Sequence, residues 1–270
     1  MKLTVLGCAG SFPGPDSPCS AYLVEADGFR LLVDFGTGSL GSLQRYPGLY
    51  GIDAILLSHL HCDHILDACS YVVVRRYDPA GPLPRLPLYG PAGTAERLAH
   101  AYGPDRQSSS VDDVYDVRTL TPGTFEIGPF QVEVDRMNHP VETFGVRIEH
   151  DGAALAYSAD TGVTDALITL ARDVDLLLCE ASYLDSEPHP PDLHLTGREA
   201  GEHARKAGAR RLVLTHLVHA WGDEAATLAE AKAAFDGPVE LARPGSSYDV
   251  VAEPQASPVS SASQAPRSDR

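Results

Sequence analysis

The sequence predicts an α/β or α+β protein with mixed sheets, and three observations lead there. Short apolar runs of β type recur along the chain, they dominate its early part, and helical patterns separate the later ones. The β-type runs fall at 3–6, 22–25, 30–34, 54–58, 130–135, 145–148, 153–158, 175–179, 211–215 and 248–251. The segment 79–93, with five prolines, reads as a rigid loop around a short strand at 86–89. Helical patterns cover 94–102, 164–172 and 223–235, the last closed by Gly237 as a C-cap. The clearest helix start is T-G-R-E from Thr196, a capping box with Glu199 at the third helical position; that helix runs to about Ala207 and stops at Gly208. Residues 253–270 are Ser, Pro, Ala and Gln with Val259 as the one large aliphatic, a composition expected to form a disordered tail behind a folded domain of residues 1–252.

Composition narrows the functional classes. Hydrophobic residues make up 43% of 270, enough for an ordinary core, and 37 acidic against 21 basic residues give a formal charge of −16. That excess argues against gripping a long nucleic acid through a basic face, and it leaves a substrate with a single phosphate open. The five cysteines (Cys8, Cys19, Cys62, Cys69, Cys179) form no C-x-x-C pair and are odd in number, which fits a reducing, cytoplasmic setting. The first ten residues read as a strand rather than a signal segment, and no apolar stretch reaches membrane-spanning length.

The chemistry gathers at strand ends. R-L-L-V-D ends at Asp34, A-I-L-L-S-H at His59, A-L-A-Y-S-A-D at Asp160, D-L-L-L-C-E at Glu180 and R-L-V-L-T-H at His216. Ligands collect at the ends of such strands in α/β sheets, so five reactive side chains at five ends imply one shared site. The densest element is H-L-H-C-D-H, with His59, His61, Asp63 and His64 in six residues, more donors than one ion needs. In a tight turn His59 and His61 can face one ion while Asp63 and His64 face a second.

H-x-H-x-D-H after a strand resembles the metallo-β-lactamase superfamily, and the remaining motifs follow in that family's order over essentially residues 1–252. The resemblance implies a four-layer αβ/βα sandwich of two mixed β-sheets. It implies His59, His61 and His139 (in N-H-P-V-E-T-F-G-V) on one metal, and Asp63, His64 and His216 on another. Asp160 would bridge the two, and Asp34 (in V-D-F-G-T-G) would buttress the metal loop. L-Y-G-P at 88–91, Y-S-A-D-T-G, C-E-A-S at 179–182 and H-L-T-G-R-E-A-G from His194 are similar to the ribonuclease Z and phosphodiesterase branch. There the histidine matching His194 acts on the phosphate, oriented by the glutamate matching Glu180. The logic is that a carboxylate fixes an imidazole's tautomer and favours its protonated, donor form.

One departure bears on the substrate. Only 20 residues separate His139 from Asp160, leaving no room for the tRNA-gripping arm that ribonuclease Z usually carries there. The arm-less pattern, with P-D-S-P near the start and R-R-Y-D-P at 75–79, is similar to actinobacterial cyclic-nucleotide phosphodiesterases of the superfamily. The expectation is therefore hydrolysis of a small phosphodiester, above all 3′,5′-cyclic AMP to 5′-AMP, by a hydroxide bridging two divalent ions, with zinc first and manganese or iron also suited. Asp63 is expected to accept a proton during attack, and His194, held by Glu180, to protonate the leaving oxygen. Alternatives are a ribonuclease Z-like tRNA 3′-processing endoribonuclease and a metal-dependent lactone, lactam or thioester hydrolase. No stable nucleic-acid or membrane partner is expected; relatives often form a homodimer, and the sequence leaves that open.

Several residues keep two readings. Trp221 either stacks on a purine or fills core, and His219 lines the pocket or sits on a surface loop. Arg75 and Arg76 meet phosphate or pair with surface carboxylates. Cys62 should point away from the ligands that flank it. His100, His150, His189 and His203 carry no assigned role, and the serines at 108–110 read as a solvated loop tip.

Overall fold

Residues buried on both faces of a strand give the unbroken apolar runs noted above, and the computed structural model shows what covers each face. The structure describes residues 1–103 and 109–252. The expected tail at 253–270 and Ser108 lie outside the described residues.

Seven strands form the first sheet: β1 (Lys2–Gly7), β2 (Ala21–Ala26), β3 (Phe29–Val33), β4 (Ala54–Leu56), β5 (Leu86–Gly90), β6 (Tyr115–Thr119) and β14 (Ser247–Asp249), in the order β14-β1-β2-β3-β4-β5-β6. The second holds β7 (Gly123–Ile127), β8 (Phe130–Arg136), β9 (Phe144–His150), β10 (Ala153–Tyr157), β11 (Leu176–Glu180), β12 (Leu212–Thr215) and β13 (Val239–Leu241), in the order β13-β12-β11-β10-β9-β8-β7. Both are mixed in the same way. The first is antiparallel from β14 to β3 and parallel from β3 to β6; the second is antiparallel from β7 to β10 and parallel from β10 to β13.

The alternation along each strand sorts side chains into two faces. Leu3, Val5, Tyr22, Val24 and Leu31 from the first sheet meet Phe130, Val132, Phe144 and Ile148 from the second in a shared core. The other face of the first sheet, with Leu6, Leu23, Leu32 and Ile55, is covered by α1 (Ser39–Leu43), α2 (Cys62–Arg76) and α3 (Thr94–Tyr102) through Leu43, Ile65, Val72 and Leu98. The outer face of the second, with Ala156, Leu177 and Leu214, takes α4 (Asp165–Leu170), α5 (Gly197–Ala207) and α6 (Glu224–Ala234) through Leu167, Ala204 and Ala231. The result is the four-layer α/β arrangement with two mixed sheets. Each fully buried large aliphatic contributes about 1.5–3 kcal/mol, so the three interfaces together, rather than any one element, hold the strand ends in register.

The α5 capping box forms as expected: Thr196 Oγ1 accepts from the Glu199 N–H at 3.1 Å, Glu199 Oε2 accepts from the Thr196 N–H at 2.9 Å, and Gly208 closes the helix at φ 72°. The D-G turn between His139 and Asp160 is a tight hairpin with Asp151 and Gly152 both at positive φ, and the interval is filled by β9, that turn and β10. Four expectations change. The H-L-H-C-D-H segment is not a tight turn; Cys62 opens a 15-residue helix with His61 as its N-cap residue. Gly237 does not cap α6, which ends on an extended Phe235. Ser109 is buried, not a solvated tip. Arg75 is buried too, donating to the Pro84 carbonyl, whereas Arg76 pairs with Asp113 as a surface arginine would. Among the described residues no helix is long and apolar enough to cross a membrane.

Candidate metal centre

Every chemical residue singled out at a strand end arrives at one place. Asp34 follows β3, His59 follows β4, Asp160 follows β10, Glu180 ends β11 and His216 follows β12. The chain turns sharply there: Asp34, Ala159, His216 and Ser11 all sit at positive φ (57°, 52°, 58° and 63°), a conformation non-glycine residues adopt at a cost. Gly36 shows how tightly the buttress motif meets the metal loop, since a Cβ there would lie 1.9 Å from the Asp63 carbonyl oxygen.

Asp34 is fully buried and saturated. Its Oδ1 accepts from the Ser58 N–H at 2.7 Å, and its Oδ2 accepts from Ser58 Oγ at 2.9 Å, Tyr157 OH at 2.8 Å and His64 Nδ1 at 2.8 Å. That last bond sets the orientation of the His64 ring and turns its Nε2 inward. His139 is set likewise, its Nδ1 donating to the Leu193 carbonyl at 2.9 Å.

Two donor sets result. In the first, His61 Nδ1 lies 3.0 Å from His59 Nε2 and 3.2 Å from His139 Nε2, and Asp160 Oδ2 lies 3.5 Å from His59 Nε2. In the second, His216 Nε2 is 3.1 Å from Asp63 Oδ2, 3.2 Å from His64 Nε2 and 3.4 Å from Asp160 Oδ1, and His64 Nε2 is 3.3 Å from Asp160 Oδ1. Donor atoms about 2.0–2.1 Å from one four-coordinate ion stand roughly 3.3 Å apart, which is the spacing found in both sets. The fit to a cation is also electrostatic. Among the described residues no lysine or arginine pairs with Asp34, Asp63, Asp160 or Glu180, and Asp160 Oδ1 is buried without a hydrogen-bond partner. Such a cluster of buried acceptors is costly unless something positive sits among them.

Protonation follows the same division. Burial holds His59, His61 and His139 below the ordinary histidine range, so each offers a lone pair at neutral pH. Burial also opposes charge on His64, but Asp160 and Asp34 outweigh it and hold that imidazole well above its usual range. For Asp63 burial pulls upward, while hydrogen bonds from His216 and His64 prevail and keep the carboxyl far below the usual carboxylate range.

His194 stands beside both sets, its ring centroid 5.5 Å from His139 and 5.3 Å from His216. Its Nδ1 is 2.8 Å from Glu180 Oε1. Burial disfavours the charged ring, but the Glu180 carboxylate overrides it and pushes the imidazole up to about 9. Glu180 is itself fixed by the Thr161 N–H at 2.8 Å and by Ser182 Oγ at 3.0 Å.

The sequence reading missed four supporting residues. Ser182 Oγ also lies 2.9 Å from His216 Nδ1, so one hydroxyl positions both a proposed ligand and the Glu180–His194 pair. Ser11 gives its N–H to Asp63 Oδ2 at 2.8 Å, and Ser58 and Tyr157 hold Asp34. The C-E-A-S motif was the signal for Ser182; the Ser11 and Tyr157 contacts span 52 and 123 residues and left none. Cys62 points away from the cluster, its exposed Sγ 3.4 Å from Arg97 Nη2. His219 pairs with Glu224 at 2.8 Å, and Trp221 is exposed, so it fills no core. His150 pairs with Asp27 and His203 binds the Glu199 carbonyl, away from the donor sets.

Asp34→Ala leaves His64 Nδ1, the Ser58 N–H and the Tyr157 hydroxyl without their shared acceptor. We expect metal affinity to fall about 10–100-fold. Metal titration at neutral pH checks this, and unchanged affinity would contradict the buttress role.

A strand-end cluster of His and Asp in this order, on two mixed sheets flanked by helices, defines a class of metal-dependent hydrolases. The sequence matches the beta-lactamase superfamily domain over residues 29–217, and the chain belongs to that family. It is 47% identical over 248 residues to an uncharacterized protein of Mycobacterium tuberculosis, covering 88% of each chain. It is 33% identical over 253 residues to the probable metallo-hydrolase YhfI of Bacillus subtilis, covering 91% of this chain and 98% of YhfI. The crystal structure of YhfI, described as a metallo-beta-lactamase fold protein, superposes with a TM-score of 0.82 over 92% of this chain and 98% of that one. A ribonuclease Z of Halorubrum lacusprofundi is 32% identical, covering 93% of this chain and 97% of its own. That alignment runs over 304 positions while taking in 93% of 270 residues, which leaves about fifty positions with no counterpart here. The chain is thus a metallo-hydrolase of this fold, in the branch that includes ribonuclease Z.

Proposed function

We propose that the protein is a binuclear metal phosphodiesterase that hydrolyses a small phosphodiester, 3′,5′-cyclic AMP to 5′-AMP being the favoured reaction. The observation that carries this reading is the His194–Glu180 pair, 2.8 Å apart beside both donor sets, in which the carboxylate raises the imidazole pKa to about 9. The ribose alkoxide leaving group of a phosphodiester gains directly from a proton donor of this kind.

His59, His61 and His139 are proposed to hold one ion, Asp63, His64 and His216 the other, with Asp160 shared. Zinc suits these nitrogen and oxygen donors first, and manganese or iron(II) are compatible. When bound, two such cations polarise the phosphoryl oxygens and supply a nucleophile from water. The chain's own groups do the rest. Asp63 Oδ1, which makes no hydrogen bond among the described residues, accepts a hydrogen bond from the attacking water and orients it. As the bond from phosphorus to the ribose 3′-oxygen breaks, His194 Nε2 gives its proton to that oxygen. Glu180 holds Nδ1 throughout and so stabilises the protonated ring before transfer.

The short His139–Asp160 interval and the charge of −16 support a small ester over tRNA. The ribonuclease Z relative at 32% identity favours tRNA 3′ processing as the second reading. Metal-loaded protein offered cyclic AMP, precursor tRNA and a lactam separates them. 5′-AMP formation is expected; cleavage of the tRNA alone, weakening steeply with salt, would favour the second reading, and lactam hydrolysis alone would overturn both.

A further inference from the structure

We propose that Phe12 and Trp221 form a stacking subsite for the nucleobase of the substrate, an inference that rests on the phosphodiesterase reading above. Trp221 is 75% exposed and Phe12 37%, although large aromatic side chains normally seek burial. Their rings meet edge to face at 5.1 Å and 70°, so each holds the other while flat aromatic surface stays open to solvent.

Both rings stand on loops laced to the donor cluster. Phe12 follows Ser11, whose N–H donates to Asp63 Oδ2, and its own N–H closes on the Gly10 carbonyl at 2.7 Å. Gly10 donates to the Leu217 carbonyl at 3.1 Å, and a Cβ on Gly10 would lie 2.8 Å from His216 Nδ1. Trp221 donates its N–H to the Val218 carbonyl at 2.9 Å, two residues beyond His216. The β1–β2 and β12–α6 loops therefore meet beside His216, and these same loops carry the two rings. Among the described residues the exposed large apolar side chains next to His139 are the aliphatic Val141 and Val163, and the ring beside His194, Tyr183, is already stacked on His189 with centroids 5.3 Å apart.

A phosphate seated at the donor sets leaves the organic part of a small ester over the rim. A base is flat and presents a π face, and stacking of this kind tolerates any base. The subsite thus selects nucleotides as a class and sets the base on the His216 side.

Trp221 is the only tryptophan in the chain, so its fluorescence reports on this subsite alone. Metal-loaded full-length protein is titrated with 5′-AMP, with ribose 5-phosphate and with inorganic phosphate, and turnover of bis(p-nitrophenyl) phosphate is followed in parallel. 5′-AMP should quench the indole and bind about tenfold tighter than ribose 5-phosphate. In Trp221→Ala, read by calorimetry, that advantage should shrink to about twofold, and the KM for cyclic AMP should rise about tenfold with kcat nearly unchanged. Phe12→Leu should move both in the same direction. Equal affinity for 5′-AMP and ribose 5-phosphate in a protein that cleaves bis(p-nitrophenyl) phosphate overturns the subsite and leaves the phosphodiesterase reading standing. A metal-loaded protein that cleaves neither ester overturns that reading and the subsite with it.

Discussion

Protein carrying His64→Ala is expected to bind one divalent ion fewer than the native chain and to lose nearly all turnover. His64 is fully buried, tied to Asp34 on one side and 3.2–3.4 Å from His216, Asp160 and Asp63 on the other. Removing its imidazole deletes a proposed ligand and leaves Asp34 with one donor fewer in a site sealed from water. A buried acceptor that loses a hydrogen-bond donor costs free energy, so the loss should also lower stability, by about 1–3 kcal/mol. Elemental analysis of the purified variant, alongside its rate on bis(p-nitrophenyl) phosphate, checks the result. A variant holding as much metal as the native chain would contradict the placement of His64 in the second donor set.

His194→Ala should behave differently: full metal content with activity lower by about 10²–10⁴, the usual worth of a general acid. The pH profile adds a signature that a merely structural role would not give. The donor is the protonated imidazole, present below its pKa of about 9 and lost above it. Activity of the native enzyme should therefore fall on the alkaline side. Bound cations near the ring favour its neutral form and would move that limb toward neutrality. In His194→Ala the limb should vanish. Intact activity with both metals retained would remove His194 from the reaction.

These predictions draw on residues whose places were legible in the sequence to unequal degrees. A strand buried on both faces and ending in Asp, His or Glu announces both its burial and its chemistry, which is why Asp34, His59, Asp160, Glu180 and His216 were all placed at strand ends. Asp160 shows the mechanism well: A-A-L-A-Y is β10, and the polar residues begin where the sheet stops. The three strands not foreseen, β6, β7 and β13, all lie at sheet edges, where half-exposed residues dilute the apolar pattern. The helix α2 was hidden for another reason. Its first turn is occupied by Cys62, Asp63 and His64, which read as a polar loop, and V-V-V at 72–74 reads as strand. Helix geometry there matters to the chemistry, because it sends Asp63 and His64 from one turn into the same donor set. Contacts that join distant segments, such as Ser11 to Asp63 and Tyr157 to Asp34, follow from tertiary packing and leave no local mark.

The most direct test of the central claim is reconstitution. The chain is stripped with a chelator and titrated with zinc while bound metal and bis(p-nitrophenyl) phosphate hydrolysis are followed together. Negligible turnover without metal, rising to its full value at two ions per chain, is the predicted course. Full hydrolysis by the metal-free chain, or none at any metal loading, would contradict it.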